Sequence, residues 1–291
     1  MNGYGIPEIF ESEAEGIIKD VYKDIQYVLK VPIVNFIFRA LANYPEFLSD
    51  AWFQVRPNML TARIEVAAET LRYPDILVPV PAFHSNTAFN LYTQQHYIKN
   101  IVATFQYVNP KLLLIASAWS ESLSNRPIEP KIISNEFIQP GLFDQMPKIE
   151  LEHIPKAAPS VRNVLLDIAK EHHSFDVASD YRALATIPGL LEKVWPALKT
   201  FIGTEEYTLL QNRLLKKSIM LVHQEMPFPI SFNRKRLESK YSSAHIAGIM
   251  SLVSYFQNFL PGLILEIEFI RRMLNPLDYH FKDDPHSLTQ L

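Results

Sequence analysis

Apolar residues recur through most of this chain at steps of three and four, the period of an α-helix with one buried face. Ile18, Val21, Tyr22, Ile25, Val28 and Leu29 form one such stripe, and Ser12 with Glu15 ahead of it reads as a capping box. Leu209, Leu210, Leu214, Leu215 and Ile219 form another. The 41–72 region shows no strict alternation, so strands have no obvious place there. Pro74, Pro79 and Pro81 predict a loop over 73–91 with room for a short strand. The expectation is an all-α fold.

The helical pattern is written twice. VNFIFRALANYPEFLSDAW (34–52) is echoed by VASDYRALATIPGLLEKVW (177–195), with RALA unaltered and Pro45, Leu48 and Trp52 matched by Pro188, Leu191 and Trp195. The same offset of 143 pairs Val21, Asp24 and Ile25 with Val164, Asp167 and Ile168. Further on, Phe105, Gln106, Pro110, Leu112 and Leu114 match Phe256, Gln257, Pro261, Leu263 and Leu265 at an offset of 151, so a loop of the second copy has gained eight residues. The reading is a tandem duplication: a first repeat over 1–123, a Pro-rich crossover over 124–159 and a second repeat over 160–291. Two like modules pack face to face about a pseudo-twofold axis, forming a pseudo-dimer.

Chemistry is sought where the copies disagree. Asp180 stands at the position of Ile37, Ser179 at that of Phe36, and Asn109 at that of Leu260. A carboxylate where its sister is isoleucine is expected to be part-buried, and burial raises its pKa toward a value suited to taking protons from water. The competing reading makes Asp180 an N-cap of the helix running through RALATIP. Asn109 likewise either caps a helix over 110–122 or orients a water through its amide. Glu266 and Glu268, replacing Ile115 and Ser117, have Arg271 and Arg272 within helical reach and read as solvated or paired charges. His172, His173, Ser174 and Asp176 hold ingredients of a triad or metal site, but adjacent histidines leave a helix on different faces and no second cluster has ligand spacing. A structural role is the expectation for them, with no metal.

Composition narrows the classes. Hydrophobic residues make up 48% and charged residues 20%, with 31 acids against 28 bases and a net charge of -3, which suits neither disorder nor nucleic-acid binding. Cysteine is absent, which excludes disulfides, thiolate metal sites and thiol peroxidase chemistry. Eight Gly against 21 Pro fits helices broken by short loops. No phosphate loop or dinucleotide fingerprint supports a nucleotide cofactor. The opening MNGYGIPEIFESEAEG lacks the marks of a signal peptide, and no 18-residue stretch reads as apolar enough for a bilayer, so a cytoplasmic location without membrane contact is expected.

NPKLLLIASAWSESL (109–123), ASDYRALATIP (178–188) and the opening VYKDIQYVLKVP resemble the group I 2-haloacid dehalogenases, which act on both D- and L-2-haloacids. The resemblance covers nearly the whole chain. VPIVNFIFRALANYPEFL is also similar to the wider helical superfamily of carboxymuconolactone decarboxylases and alkylhydroperoxidase-like proteins, whose redox members need cysteines. The resemblance implies an all-α pseudo-dimer, assembled as a homodimer, with its site between the halves. It implies cofactor-independent displacement of halide by water, with no ester to the enzyme. Asp180 would then activate the water and Asn109 help hold it, Ser179 would help bind the substrate carboxylate, and Phe36 would wall the halogen-bearing carbon. Thr61 and Glu65 match a supporting threonine and glutamate. The chain departs from the family pattern at Ile33, where Trp is expected, and at Leu112, where Tyr is expected, which alters the substrate-binding shell. Two alternatives stay open: a non-catalytic helical protein that binds a small carboxylate or a protein partner, and a hydrolase with another leaving group.

Overall fold

The computed structural model describes residues 5–83, 91–133, 136–142, 148–174 and 176–274. The first half carries helices α1 (Gly16–Leu29), α2 (Phe36–Leu41), α3 (Pro45–Met59), α4 (Ala62–Arg72) and α5 (Leu91–Leu123). The second carries α6 (Pro159–Glu171), α7 (Ser179–Leu184), α8 (Leu190–Ile202), α9 (Glu205–Glu225), α10 (Arg234–Lys240) and α11 (Ser243–Leu274). The order long, short, long, long, very long thus runs twice, with α10 added before the last helix. Among the described residues there is no strand, only two isolated bridges, Thr61 with Phe137 and Ile128 with Ile230. The stretch 73–83 is irregular chain, and 84–90 lie outside the described residues. The described parts of the 124–159 crossover contain one 3-10 turn, Ile154–Lys156, as its prolines require.

The predicted stripe of α1 is buried at every position from Ile18 to Leu29. Its cap is not the expected one. The helix begins at Gly16 with Glu15 at the N-cap and no side-chain cap bond, while the Glu13 carboxylate accepts the Phe10 N–H at 3.0 Å. A Gly at positive φ starts the helix later than Ser12 could reach.

Helices α5 and α11 pack against each other through the centre, flanked by α4 and α9. Both are long and apolar enough to cross a membrane, contrary to the sequence expectation, over Gln94–Leu123 and Ser243–Leu274. Their most apolar windows are 94% and 61% buried inside the protein. Core helices that touch neighbours on most sides lose the polar stripe that marks a surface helix. Both run through a proline, Pro110 and Pro261, where each loses one backbone bond.

The short helices cross over. α2 of the first half packs on α11 of the second, and α7 of the second packs on α5 of the first. Each half therefore contributes one wall to the space between them.

The repeated tryptophans do the same work twice. The Trp52 indole N–H donates to Asp24 at 2.7 Å and the Trp195 indole N–H to Asp167 at 2.8 Å. Arg56 and Lys199 complete the two ion pairs. Trp52 meets Phe38 edge-on at 5.8 Å, and Trp195 meets Tyr181 edge-on at 6.1 Å. A buried indole needs an acceptor for its N–H while its rings pack the core. Trp52→Phe and Trp195→Phe are each expected to cost about 1 kcal/mol, the loss of one such bond with most ring packing kept. Urea unfolding measures this, and unchanged midpoints in both variants would remove these bonds from the account of stability.

Candidate active site

A cleft opens where the two short helices face each other across α5 and α11. It is lined by Asn35, Phe36 and Ile37 from the first half's short helix, and by Ala178, Ser179 and Asp180 from the second's. Asn109 and Leu112 of α5 close one side, and Phe256, Phe259, Leu260 and Leu263 of α11 the other. Its unfilled space is about 270 Å³ including the mouth, yet only about 20 Å³ admits the centre of a water molecule. That is narrow, with room for about one ordered water in this state.

The sister positions meet here. Ile37 and Asp180, Phe36 and Ser179, and Asn109 and Leu260 all lie on the same cleft. Asp180 sits in the first turn of α7 behind an N-cap of Ala178, and Ala178 makes no side-chain cap bond. The cap reading for Asp180 is thereby set aside. Asn109 is not a cap either, because α5 continues through Pro110.

Asp180 is 5% exposed, and Asn109 Nδ2 donates to its Oδ2 at 2.7 Å. No ion pair reaches it within 4.0 Å among the described residues, since its partner is a neutral amide. Burial pushes its carboxyl up to about 7. The Asn109 bond and its own backbone N–H oppose the rise, and the nearby Glu266 charge adds to it. The outcome is a carboxyl that exchanges its proton near neutrality. This is the property required of a general base.

Behind Asp180 lies a polar cluster. The Glu266 carboxylate accepts from His172 Nε2 at 2.8 Å, from the Tyr181 hydroxyl at 2.6 Å and from the Tyr207 hydroxyl at 2.5 Å. Burial raises the Glu266 carboxyl, but the His172 charge and the three donors outweigh it and hold the group below its ordinary value. His172 is correspondingly raised, its own burial being outweighed by Glu266. The pair is ionised and supports α7 through Tyr181, the residue after Asp180. His173, at positive φ, is exposed, so the two histidines do part company. Glu266 is paired but not solvated, and Glu268 is likewise buried, bonded to Arg271, Arg272 and Gln106. The two acids leave α11 on different sides, and both are buried because α11 is enclosed all round from Phe259 to Arg271, which local spacing does not reveal.

Ser179 lines the cleft, and its Oγ accepts from Arg39 at 3.2 Å. Arg39 and Arg182 are the two RALA arginines, and both close on one carboxylate: Arg39 Nε on Glu8 at 2.7 Å and Arg182 Nη1 on Glu8 at 2.9 Å. Phe10 lies under both guanidinium groups. Glu8, Arg39 and Arg182 had no role in the sequence reading, although the arginines' identity in both copies was the available signal.

Phe36 and Leu112 line the cleft as expected, and Phe36 meets Phe256 edge-on at 5.1 Å. Ile33 does not. It is 1% exposed within the core ahead of α2, outside the lining. Thr61 and Glu65 are also outside it. The Thr61 side chain caps α4, and Glu65 on that helix binds Lys111 and accepts from the Tyr107 hydroxyl at 2.8 Å. Lys111 is fully buried between the cleft residues Asn109 and Leu112 in sequence, so this ion pair steadies the turn of α5 that presents them. Burial raises the Glu65 carboxyl, and the Lys111 charge, the bonds from Lys111 and the Tyr107 hydroxyl, and the Arg72 charge together outweigh it and hold the group below its ordinary value. Glu65 thus touches α5 through Lys111 and Tyr107, whereas among the described residues the Thr61 side chain bonds only at the junction of α3 and α4.

The chain is similar to known proteins over nearly its whole length. A configuration-inverting 2-haloacid dehalogenase of Alcaligenes xylosoxydans xylosoxydans is 29% identical over 282 residues, covering 92% of this chain and 94% of that protein. An (R)-2-haloacid dehalogenase of Pseudomonas putida is 24% identical over 273 residues, covering 88% and 89%. A solved D-2-haloacid dehalogenase in complex with L-LA shares the fold, with a TM-score of 0.85 over 94% of this chain and 97% of that one at 23% identity. The model of the family described as Halocarboxylic acid dehydrogenase DehI matches residues 32–181, more than half of the chain and a span that includes both Asn109 and Asp180. By that match this chain belongs to the DehI family, the family of its 2-haloacid dehalogenase relatives.

Proposed function

We propose that this protein hydrolyses short 2-haloalkanoic acids to 2-hydroxy acids by direct attack of water, with Asp180 as the base. The observation that carries the reading is the buried Asp180 carboxylate, with no ion pair within 4.0 Å among the described residues, on a cleft between the halves. Water oxygen bonds to C2 as the carbon–halogen bond breaks, the halide leaves with the bonding pair, and Asp180 takes the proton. Attack opposite the leaving group inverts C2, in keeping with the configuration-inverting relative. Asn109 fixes the carboxylate's orientation, since a base acts only within hydrogen-bond reach of its proton. The Ser179 hydroxyl, whose oxygen already accepts from Arg39, retains its own hydrogen for a substrate carboxylate. Phe36, Phe256 and Leu260 form apolar walls that keep other water from C2.

The narrowness of the cleft favours acids of two or three carbons. Use of both enantiomers, as in the group I members, is supported by the way sister positions wall the cleft from both sides, so that halide and methyl can exchange places about one water. The two repeats, 1–123 and 160–291, are read as duplicated modules, supported by the matched tryptophan contacts, and homodimer assembly rests on the family resemblance. A second reading, binding of a small carboxylate without turnover, draws on Leu112, a cleft residue with no hydrogen-bonding group where the family pattern has Tyr.

Halide release from both enantiomers of 2-chloropropionate and 2-bromopropionate tests the function. Asp180→Asn is expected to lower kcat by about 10²- to 10⁴-fold, the usual worth of a general base. Equal rates would remove Asp180 from that role, and binding of lactate with no haloacid turnover would favour the second reading.

The pH dependence has a definite sign. Wild-type kcat should rise with pH through about 7 as Asp180 loses its proton. Because the folded carboxyl holds its proton to higher pH than the unfolded one, stability falls as pH rises across the window from about 4 to 7. Asp180→Asn should therefore unfold at higher temperature than wild type above pH 7, and at a similar temperature near pH 4. A variant less stable at every pH would contradict the buried-charge account.

A single turnover in ¹⁸O-labelled water separates direct attack from a covalent ester. Label in the first product is expected; unlabelled first product would identify a protein carboxylate as the nucleophile.

A further inference from the structure

Four polar side chains line the cleft: Asn35, Asn109, Ser179 and Asp180. Asn109 and Asp180 are bonded to each other, and Ser179 is bonded by Arg39. Asn35 is different. It is 2% exposed, and its side-chain oxygen has no hydrogen-bond partner among the described residues. Asn35 occupies the N-cap position of α2, where an asparagine ordinarily turns its oxygen onto a free helix N–H. Here no such bond forms. The first turn is closed instead by the Asn35 main-chain carbonyl, which accepts from Phe38 and Arg39 at 3.0 and 3.3 Å.

The fold does not demand an amide at this place. The matching residue of the second copy is Ala178, which lines the same cleft from the opposite helix. A buried acceptor without a donor is costly, and native proteins keep such groups where a ligand or an ordered water completes them.

We propose that Asn35 is a positioning residue for the attacking water, its side-chain oxygen accepting one hydrogen while Asp180 accepts the other. The cleft admits about one water, and a water has two hydrogens to give. Asn109 and the backbone N–H take two of the acceptor sites of the Asp180 carboxylate, and its remaining lone pairs are left for the water. Holding both hydrogens from the two facing short helices leaves an oxygen lone pair for C2. As the carbon–oxygen bond forms, Asp180 takes its hydrogen and the Asn35-bound hydrogen stays on the product hydroxyl. The contact thus persists from water to 2-hydroxy acid. This inference rests on the hydrolytic reading above.

The test compares wild type, Asn35→Leu and Asn35→Ser on a 2-haloacid that the wild type turns over. Wild-type turnover tests the hydrolytic reading by itself, and the variants test Asn35. Asn35→Leu keeps the bulk without an acceptor, and its kcat should fall about 10- to 100-fold with KM within about threefold of wild type. Asn35→Ser keeps an oxygen and should recover part of the loss. The thermal midpoint of Asn35→Leu should equal or exceed that of wild type, since an unsatisfied buried acceptor has been removed. An unchanged kcat would overturn the proposal. A raised KM with unchanged kcat would also overturn it, assigning the amide to the substrate carboxylate, and so would a midpoint that falls in step with kcat in both variants.

Discussion

A carboxylate sealed inside a protein must find a cation, share a proton or destabilise the fold, and Asp180 is the place where this constraint is not relieved by a cation. Among the described residues the other fully buried acids are Glu121, Glu266 and Glu268, and each is ion-paired: with Arg126 and His223, with His172, and with Arg271 and Arg272. Asp180 has no ion pair within 4.0 Å among the described residues, and its bonds come from the amide of Asn109 and from its own backbone N–H. Its carboxyl is pushed up to about 7 because desolvation exceeds what the Asn109 bond, its own backbone N–H and the His172 charge offset. Groups that perturb stability in this way collect at functional sites.

Much of the surrounding architecture holds that carboxylate in place. The residue after it, Tyr181, donates to Glu266, and the one after that, Arg182, is fixed on Glu8. α7 has only six residues, too short for its own backbone bonds to set its position. Its anchors are tertiary, and they lie on α11 and on the chain ahead of α1. Asn109 depends in the same way on Lys111 and Glu65, two positions along α5 and across on α4.

The two halves reach the site by different interiors. His172, Tyr181, Tyr207 and Glu266 form a buried polar cluster in the second half, at positions where the first half has Leu29, Phe38, Ile64 and Ile115. Stretches matched by sequence offset thus enclose hydrocarbon on one side and a hydrogen-bonded polar network on the other. A fully bonded network fixes one arrangement of its members more narrowly than apolar packing does. The base stands on the half that has the network, and the apolar walls Phe36 and Ile37 on the half that lacks it.

Periodicity alone was enough for the helices, because burial of one face imposes a three-and-four spacing that survives in the bare sequence. Comparison of sister positions singles out Asp180, Ser179 and Asn109, polar where the matched position is hydrocarbon, and the fold brings all three to one cleft. Local rules fail where competing partners lie far along the chain: the expected cap at Ser12 and the alternative caps at Asp180 and Asn109 do not form, and Ile33 packs into the core rather than the cleft. Glu8 between Arg39 and Arg182, Glu65 on Lys111 and the unbonded oxygen of Asn35 became visible only in three dimensions. Helical spacing encodes which face a residue occupies, whereas a pairing between separate helices is set by how those helices cross. That crossing, α2 on α11 and α7 on α5, is what turned two sets of like residues into one asymmetric cleft.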